Sequence, residues 1–501
     1  MSEPGVLLVL PILVPLAAGA LLLVLRERRT AARVVSVAGL VGLLGSAVVL
    51  LRAVLEGGIL ATTLGGWPAP FGITLAADTF SAMLVLVNGV LGLAIGVYAL
   101  GDVDDATRRL GFAPYFHVLL AGISGAFLTG DLFNLYVWFE VMLIATFGLL
   151  VSRPGRAQTD GTVKYVAINL VATTALLVGI GLLYGLTGTL NLADLHGKVA
   201  RIESGALRDA VAVLLLLAFA VKAALFPLFF WLPASYHTTS VSASAIFAGM
   251  LTKVGAYAMF RLLTLVFPQT PGLAIAPLLA VAMLTMVSGV LGAASQTGIR
   301  RILSFHIVSQ LGYIVLGLAL YTRLALTGAV FYLMHHILVK ANLFLVGGLI
   351  RRAGGSFVLA DLGGLYRRAP LLAVLFLVPA GSLAGFPPLS GFWAKLLLIL
   401  ASLEAGQYLA ATVALVVGFL TIYSMAKIWI AAFWKPAPHA PPPPAPPAVR
   451  ALTIAPVAVL AAITVVLGLW PQPFLAVAER AADELLDSTA YVEAVLGKAA
   501  R

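Results

Sequence analysis

Long apolar segments alternate with short polar loops along almost the whole chain. Most are about twenty residues long, the length of helix that crosses the hydrocarbon core of a bilayer. The first, Gly5 to Leu25, precedes Arg26, Arg28 and Arg29, which reverses the charge order of a cleaved signal peptide and predicts a permanent span. The pattern predicts about fourteen transmembrane helices, near residues 5–25, 33–52, 78–100, 112–130, 132–151, 162–188, 209–233, 240–266, 273–296, 300–322, 325–350, 370–403, 408–434 and 451–470.

Composition supports the same class. Hydrophobic residues make up 61% of the 501-residue chain and charged residues 10%, whereas a soluble domain has roughly a quarter charged residues. The net charge of +11 would point to a nucleic-acid partner in a soluble chain. Here the basic residues cluster in the loops after odd-numbered spans, which places those loops in the cytoplasm and both termini outside. We therefore expect an all-α polytopic membrane protein in contact with lipid, with no nucleic-acid partner.

Cofactor and metal sites are not predicted. The chain has no cysteine, so it can form neither disulfides nor thiolate-bound iron–sulfur clusters. It has no glycine-rich phosphate loop after a strand. Asp102, Asp104 and Asp105 could belong to a metal–diphosphate site, but without a second acidic cluster a solvated loop is the better interpretation. His335 and His336 lack further metal-ligand spacing.

Two apolar segments each carry one lysine, Lys222 and Lys253. A lysine at mid-membrane costs roughly 2.5–3.5 kcal/mol on insertion scales, so both are expected to face the protein interior. Pro227 predicts a break or kink just after Lys222. A charge beside a broken helix is typical of an ion pathway. The alternative is that each lysine extends its ammonium group to the membrane surface from near a helix end.

The sequence around Pro227 has a weak internal repeat. Phe226-Pro227 recurs as Phe386-Pro387, each followed by a tryptophan and accompanied by a lysine, Lys222 or Lys395. Segment 370–403 is therefore also predicted to be interrupted. Two broken helices in corresponding halves indicate a duplicated transporter site, although chance similarity remains an alternative in so apolar a chain.

Titratable residues recur through the apolar segments, and a proton relay requires such groups spaced for transfer through water. Glu140 is the only carboxylate deep within a span, and Lys222 is its predicted partner, as a switch or as a static ion pair. His335 is left open between the relay and an ordinary core histidine. Lys427 is expected near a helix end, outside the relay. The predicted relay consists of Glu140, Lys222, Lys253, His306, His336, Lys340 and Lys395.

At these residues the chain resembles the antiporter-like subunits of respiratory complex I and of Mrp-type sodium/proton antiporters, with the D-type subunit of the latter as the nearest match. The matching stretches are FNLYVWFE, VKAALFPLFFWLPASY, LTKVGAYAMFRL, SFHIVSQLGYI, HHILVKANLFL and LAGFPPLSGFWAK.

The resemblance implies fourteen helices with two inverted five-helix repeats and discontinuous helices 7 and 12. It implies a Glu140–Lys222 pair, Lys253 as the central proton carrier, His306, His336 and Lys340 as connectors, and Lys395 as the exit group. His237 lies where relatives carry a proline-rich turn, so its role is open between proton entry and a loop residue.

The domain boundaries follow from these elements. We expect a three-helix segment at 1–110 and antiporter repeats at 111–268 and 269–435. A proline-rich linker is expected at 436–450, and the last span with an amphipathic tail at 451–501.

The expected function is a transporter subunit rather than an enzyme. It would translocate protons in a hetero-oligomeric Na⁺/proton antiporter of the bacterial plasma membrane, without a cofactor of its own. The alternatives are an antiporter-like subunit in the membrane arm of complex I or of a membrane-bound hydrogenase, which neighbouring genes or copurifying partners would distinguish, and a structural scaffold.

Overall fold

The structure, a computed structural model, describes residues 3–152, 155–268, 271–438 and 446–497. The first part of the chain forms helices α1 (Glu3–Val24), α2 (Arg29–Gly57), α3 (Thr79–Asp102), α4 (Asp105–Arg109), α5 (Phe112–Leu128), α6 (Leu132–Val151), α7 (Arg156–Thr187), α8 (Leu192–Val199), α9 (Gly205–Lys222), α10 (Trp231–Ser235), α11 (Val241–Ile246) and α12 (Thr252–Arg261). The second part forms α13 (Pro271–Ser295), α14 (Ile299–Leu320), α15 (Arg323–Gly354), α16 (Leu365–Arg368), α17 (Pro370–Ala384), α18 (Ser390–Glu404), α19 (Tyr408–Trp429), α20 (Pro447–Leu469), α21 (Gln472–Leu486) and α22 (Thr489–Leu496).

The prediction of an all-α polytopic membrane protein is confirmed. Within the described residues, eleven helices are long and apolar enough to cross a membrane. The other three predicted spans correspond to the shorter helix α5 and to two interrupted segments, α9–α10 and α17–α18. The count of fourteen spans and the inverted-repeat domain boundaries therefore remain predictions.

Both predicted breaks are present. Helix α9 ends at Lys222, and Ala224 has a positive φ of 55°. Helix α17 ends at Ala384, and Gly385 has a φ of +93°, a conformation that glycine adopts without a steric penalty. Each break thus combines a residue in the left-handed backbone conformation with a nearby proline that cannot extend the preceding helix.

The centre of the molecule is formed by the segment 241–266 and by helices α14 and α15. In the most apolar window of α15 every residue is buried, compared with 28% in α2. Gly255 lies against the break after α9, where an added Cβ would come 2.6 Å from the backbone nitrogen of Ala223. Side chains on the central helices are therefore surrounded by protein rather than lipid.

Three local features differ from the sequence predictions. A short antiparallel hairpin, β1 (Leu60–Thr63) and β2 (Thr74–Ala77), lies between α2 and α3 and was not predicted. Helix α20 begins at Pro447, so the last residues of the predicted linker 436–450 are helical, while its residues 439–445 lie outside the described part. π-helical segments at Phe247–Leu251 and Leu262–Val266 flank α12.

The amphipathic tail after the last span forms α21 and α22, as predicted. It is bonded to the transmembrane part at several points. The Glu484 carboxylate accepts from the backbone nitrogen and the hydroxyl of Thr79 at 2.8 and 2.7 Å. Arg323 forms a two-pronged ion pair with Asp483. The tail is therefore anchored to the ends of α3 and α15.

Candidate functional site

The first broken helix places Lys222 at its last residue. The Lys222 side chain is 6% exposed, and its Nζ donates to the backbone carbonyl of Asn169 at a long 3.4 Å. The ammonium group also lies 5.4 Å from the centre of the Phe139 ring. A cavity of about 20 Å³ beside it has room for roughly one water molecule. Lys222 is thus buried but weakly held.

Glu140 is half-buried rather than deep, although its Oε1 atom is buried and has no hydrogen-bond partner within the described part of the chain. Among the described residues no direct ion pair joins Glu140 to Lys222, so the predicted contact pair is not formed in this structure. The Lys222 ammonium instead faces Asn169 and Phe139. The two charges still interact electrostatically across the intervening space.

Lys253 lies near the start of α12, directly after a π-helical segment. Its side chain is fully buried, and Nζ donates to the carbonyl of Ala248 at 2.5 Å. A π-helical turn displaces carbonyls from the α-helical hydrogen-bond pattern, and such turns are frequent at functional sites. The local helix distortion therefore supplies an acceptor for an ammonium group that no described carboxylate pairs with.

His336 and Lys340 lie one helical turn apart on α15, and both are fully buried. Neither the two ring nitrogens of His336 nor Nζ of Lys340 has a hydrogen-bond partner among the described residues. Both groups lie within electrostatic range of Lys253. The structure therefore brings these three predicted residues together.

His306 on α14 continues this line toward the second broken helix. Its two ring nitrogens are buried and without a partner in the described part of the chain, and the residue is in electrostatic range of both Lys340 and Lys395. One turn further along α14, Gln310 accepts a hydrogen bond from the hydroxyl of Tyr332. That tyrosine ring packs 6.2 Å from the His336 ring. His306 thus bridges the central cluster and Lys395.

Lys395 on α18 is bound to the end of the other half-helix. Its Nζ donates to the carbonyls of Leu383 and Ala384 at 2.9 and 3.0 Å, and it lies 5.2 Å from the centre of the Tyr313 ring. These carbonyls end α17, where the helix dipole favours a cation. Lys395 therefore caps the C-terminus of α17, at the break that the Phe386-Pro387 pair predicted.

The two histidines whose roles the sequence left open, His335 and His237, each have a hydrogen-bond partner nearby. His335 Nδ1 lies 2.8 Å from the Ser390 hydroxyl, which in turn lies 2.9 Å from the Ser382 hydroxyl. The Nδ1 atom of His237 donates to the carbonyl of Pro233 at 2.9 Å.

Lys427 binds two carbonyls at the end of α13, at 2.6 and 2.9 Å. Lys427 therefore has a structural contact outside the line of buried bases, as expected.

The sequence missed a buried ion pair. Arg261 on α12 binds Asp78 at 2.6 Å, and the two side chains are 6% and 1% exposed. Arg261 also donates to the hydroxyl of Tyr257 and lies against the ring of Tyr491 from α22. Asp78 caps the start of α3 by accepting from the backbone nitrogen of Ser81. The only sequence signal was a charged residue close to each predicted span end.

Asp102 also differs from its expected solvated-loop environment. Its carboxylate accepts from the backbone nitrogen and hydroxyl of Ser242 at 3.2 and 2.9 Å, at the start of α11. The side chain of Asp102 is 13% exposed. A carboxylate at a helix N-terminus satisfies its free donors, so Asp102 connects α3 to α11 rather than facing solvent alone.

Five buried basic residues form a series in which each is in electrostatic range of the next, and we call this series the line of buried bases: Lys253, His336, Lys340, His306 and Lys395. Mutual repulsion in a low-dielectric interior prevents all of them from being charged together. Lys222 and Glu140 lie on the first half of the molecule, and no described contact joins the Lys222 ammonium to that of Lys253.

The fold and these buried groups define a polytopic membrane transporter subunit. Residues 129–421 match the family described as NADH:quinone oxidoreductase/Mrp antiporter, transmembrane. The D-type subunit of the Na⁺/H⁺ antiporter of Alkalihalophilus pseudofirmus is 44% identical over 490 residues, which cover 98% of this chain and 99% of that protein. The chain belongs to the NADH:quinone oxidoreductase/Mrp antiporter family.

Two solved structures share the fold over nearly the full length. A chain of the Mrp complex from a Dietzia species is 35% identical, with a TM-score of 0.91, and the match covers 99% of this chain and 100% of that one. A chain of a membrane-bound sulfane sulfur reductase, an archaeal respiratory membrane complex, is 26% identical, with a TM-score of 0.88 and coverage of 98% and 99%. The predicted family and the all-α polytopic membrane fold are confirmed.

Proposed function

We propose that this chain is the proton-translocating subunit of a hetero-oligomeric Na⁺/H⁺ antiporter in the bacterial plasma membrane. The observation that carries the proposal is the contiguous line of buried basic groups on α12, α14, α15 and α18. Three of them, His306, His336 and Lys340, have buried nitrogens without partners in the described protein. Buried polar groups are normally hydrogen-bonded, so water is expected to bridge these groups and to form the path for protons.

Each end of the line has a distinct environment. Lys222 is weakly held and lies within electrostatic range of Glu140. Movement of the Glu140 carboxylate would change the proton affinity of Lys222 and so control entry to the line. Lys395 is fixed on helix-end carbonyls, and we assign it to proton exit. The direction in which protons move and the route taken by Na⁺ are separate from this assignment.

The surface around Glu140 supports assembly with partner subunits. Exposed apolar residues form a stripe along α6, consisting of Phe133, Val137, Ile144 and Phe147, and Glu140 lies in the middle of that stripe. A carboxylate facing lipid is costly. A partner subunit that covers the stripe would remove Glu140 from lipid, in agreement with the multi-subunit complexes to which this chain is similar.

The alternative is a subunit of a redox-driven membrane complex, for which the fold shared with the sulfane sulfur reductase is the specific observation. The 44% identity to a Na⁺/H⁺ antiporter subunit and the higher TM-score for the Mrp complex favour the antiporter. Copurification in mild detergent distinguishes the two, since redox partner subunits would support the alternative and small antiporter subunits our proposal.

The test is Na⁺/H⁺ exchange in everted membrane vesicles from cells that produce the chain together with its partner subunits. We expect Lys253→Ala to abolish Na⁺-dependent dissipation of the pH gradient while the complex still assembles. Lys427→Ala is the matched control, because it removes a lysine that binds carbonyls outside the line. Wild-type exchange by an assembled Lys253→Ala complex would contradict the proposal.

A further inference from the structure

A cavity of about 70 Å³ opens between α2, α3, α4 and α5, away from the line of buried bases. It lies where α2 and α5 begin and α3 ends, so it is at the level of the membrane surface. The surrounding loops are basic, and the positive-inside rule places them on the cytoplasmic side. The cavity is thus located where lipid headgroups of the inner leaflet lie.

The rim of the cavity carries three arginines, Arg29, Arg33 and Arg108. Asp105 interacts with Arg29 at 3.5 Å and with Arg108 at 3.3 Å. Within the described part of the chain, Arg33 forms no ion pair, so the rim keeps a net positive charge. Guanidinium groups match phosphate geometry with two parallel hydrogen bonds. The rim is therefore suited to a phosphate group.

The interior of the cavity is different in character. Its wall includes Leu100, Phe112 and Phe116, and one turn below the arginines Ser36 bonds the buried His117 at 3.1 Å. One helical turn corresponds to about 5 Å of depth. A ligand that fits combines an anionic head at the rim with an apolar part against this wall.

We propose that this cavity binds an anionic glycerophospholipid of the cytoplasmic leaflet. The phosphate contacts Arg33 and the neighbouring arginines, and the apolar part of the lipid contacts the apolar wall. A basic pocket between transmembrane helices on the cytoplasmic side has the chemistry that anionic headgroups require. A soluble phosphate would use the rim alone and would gain nothing from the apolar wall.

Native mass spectrometry of the purified complex tests this site. The complex is delipidated in mild detergent and titrated with phosphatidylglycerol or, separately, with zwitterionic phosphatidylethanolamine. We expect phosphatidylglycerol to bind with the higher affinity, and the double variant Arg29→Gln/Arg33→Gln to weaken its tightest binding about thirtyfold. Arg52→Gln is the matched control, because Arg52 is an exposed arginine on the same helix that pairs with Glu56 instead.

Three outcomes would overturn the proposal. Equal binding of phosphatidylglycerol by the double variant and the Arg52→Gln control would show that the arginines hold no lipid. Equal affinity for phosphatidylethanolamine would reduce the site to an apolar groove without charge recognition. Displacement of the lipid by millimolar inorganic phosphate would identify a site for a soluble anion.

Discussion

The breaks after α9 and after α17 share a Phe-Pro pair and a nearby lysine, but they hold the two lysines differently. Lys222 makes one long hydrogen bond of 3.4 Å to a carbonyl on another helix. Lys395 makes two hydrogen bonds, of 2.9 and 3.0 Å, to the last two backbone carbonyls of α17, the helix before its break. A weakly bonded ammonium can change position at low cost, whereas a helix-capping ammonium cannot. A repeated motif has therefore produced one weakly bonded ammonium group and one firmly bonded ammonium group.

The difference follows from where each lysine lies relative to its break. Lys222 is the last residue of α9, so the break comes after it and its ammonium reaches away toward α7. Lys395 lies on α18, after the break, so its side chain can reach back to the end of α17. Side chains of a helix point toward its N-terminus. From Lys395 this direction leads to the free backbone carbonyls at the end of α17.

The largest expected effect tests whether both lysines carry protons. We expect Lys222→Leu and Lys395→Leu each to lower Na⁺/H⁺ exchange by about a hundredfold, because leucine cannot bind a proton. The measurement is Na⁺-dependent collapse of the pH gradient in everted vesicles with equal amounts of assembled complex. Full activity of Lys395→Leu beside an inactive Lys222→Leu would remove the second break from the proton path.

A second prediction separates the two lysines by stability. Lys395→Leu leaves two buried carbonyls without their donor, at about 1–3 kcal/mol for each unsatisfied group. Lys222→Leu loses a single long bond and places an apolar side chain in an apolar site. We therefore expect Lys395→Leu to lower the temperature at which the complex aggregates in mild detergent by clearly more than Lys222→Leu does. Lys395→Gln, which keeps a donor, should be intermediate, and equal destabilisation by both leucine variants would refute the contrast.

Glu140 is a further difference between the two breaks, since it lies in electrostatic range of Lys222, whereas no carboxylate among the described residues pairs with Lys395. We expect Glu140→Gln to slow exchange by about tenfold, because it removes one charge interaction of moderate strength with Lys222. Glu404→Gln, at the exposed end of α18, serves as the control. Both can be assayed in the same vesicles. An unchanged rate in Glu140→Gln would leave Lys222 without an electrostatic switch.

The smallest expected effect concerns Ser390 at the start of α18. Ser390→Ala removes a hydroxyl that bonds His335 and Ser382, at a cost of about 1 kcal/mol in stability. If His335 is a core histidine, exchange should stay within about twofold of wild type. Ser402→Ala, which removes a hydroxyl bonded within its own helix, is the matched control. A much slower Ser390→Ala variant with a normal Ser402→Ala would place His335 in the relay.

Much of the fold could be predicted because membrane spans are read from local hydropathy. Pro227 and Pro387 predicted the two breaks from the sequence in a similar way, since the effect of a proline on the backbone is local. The short hairpin between α2 and α3 escaped because its strands have only four residues each. The buried pair of Asp78 and Arg261 also escaped, because each residue alone resembles an ordinary charge at a span end.

The amino-acid sequence by itself determined which charges lie inside the membrane and where two helices must break. Those properties depend on the cost of burying a charge and on backbone geometry, and neither requires knowledge of neighbours. Only the tertiary structure decided which groups meet. It separated Glu140 from direct contact with Lys222, brought His336 and Lys340 near Lys253, and attached Lys395 to the end of α17. Successive residues turn by about 100° around a helix, so the rotation and packing of each helix decide whether a buried charge finds a partner.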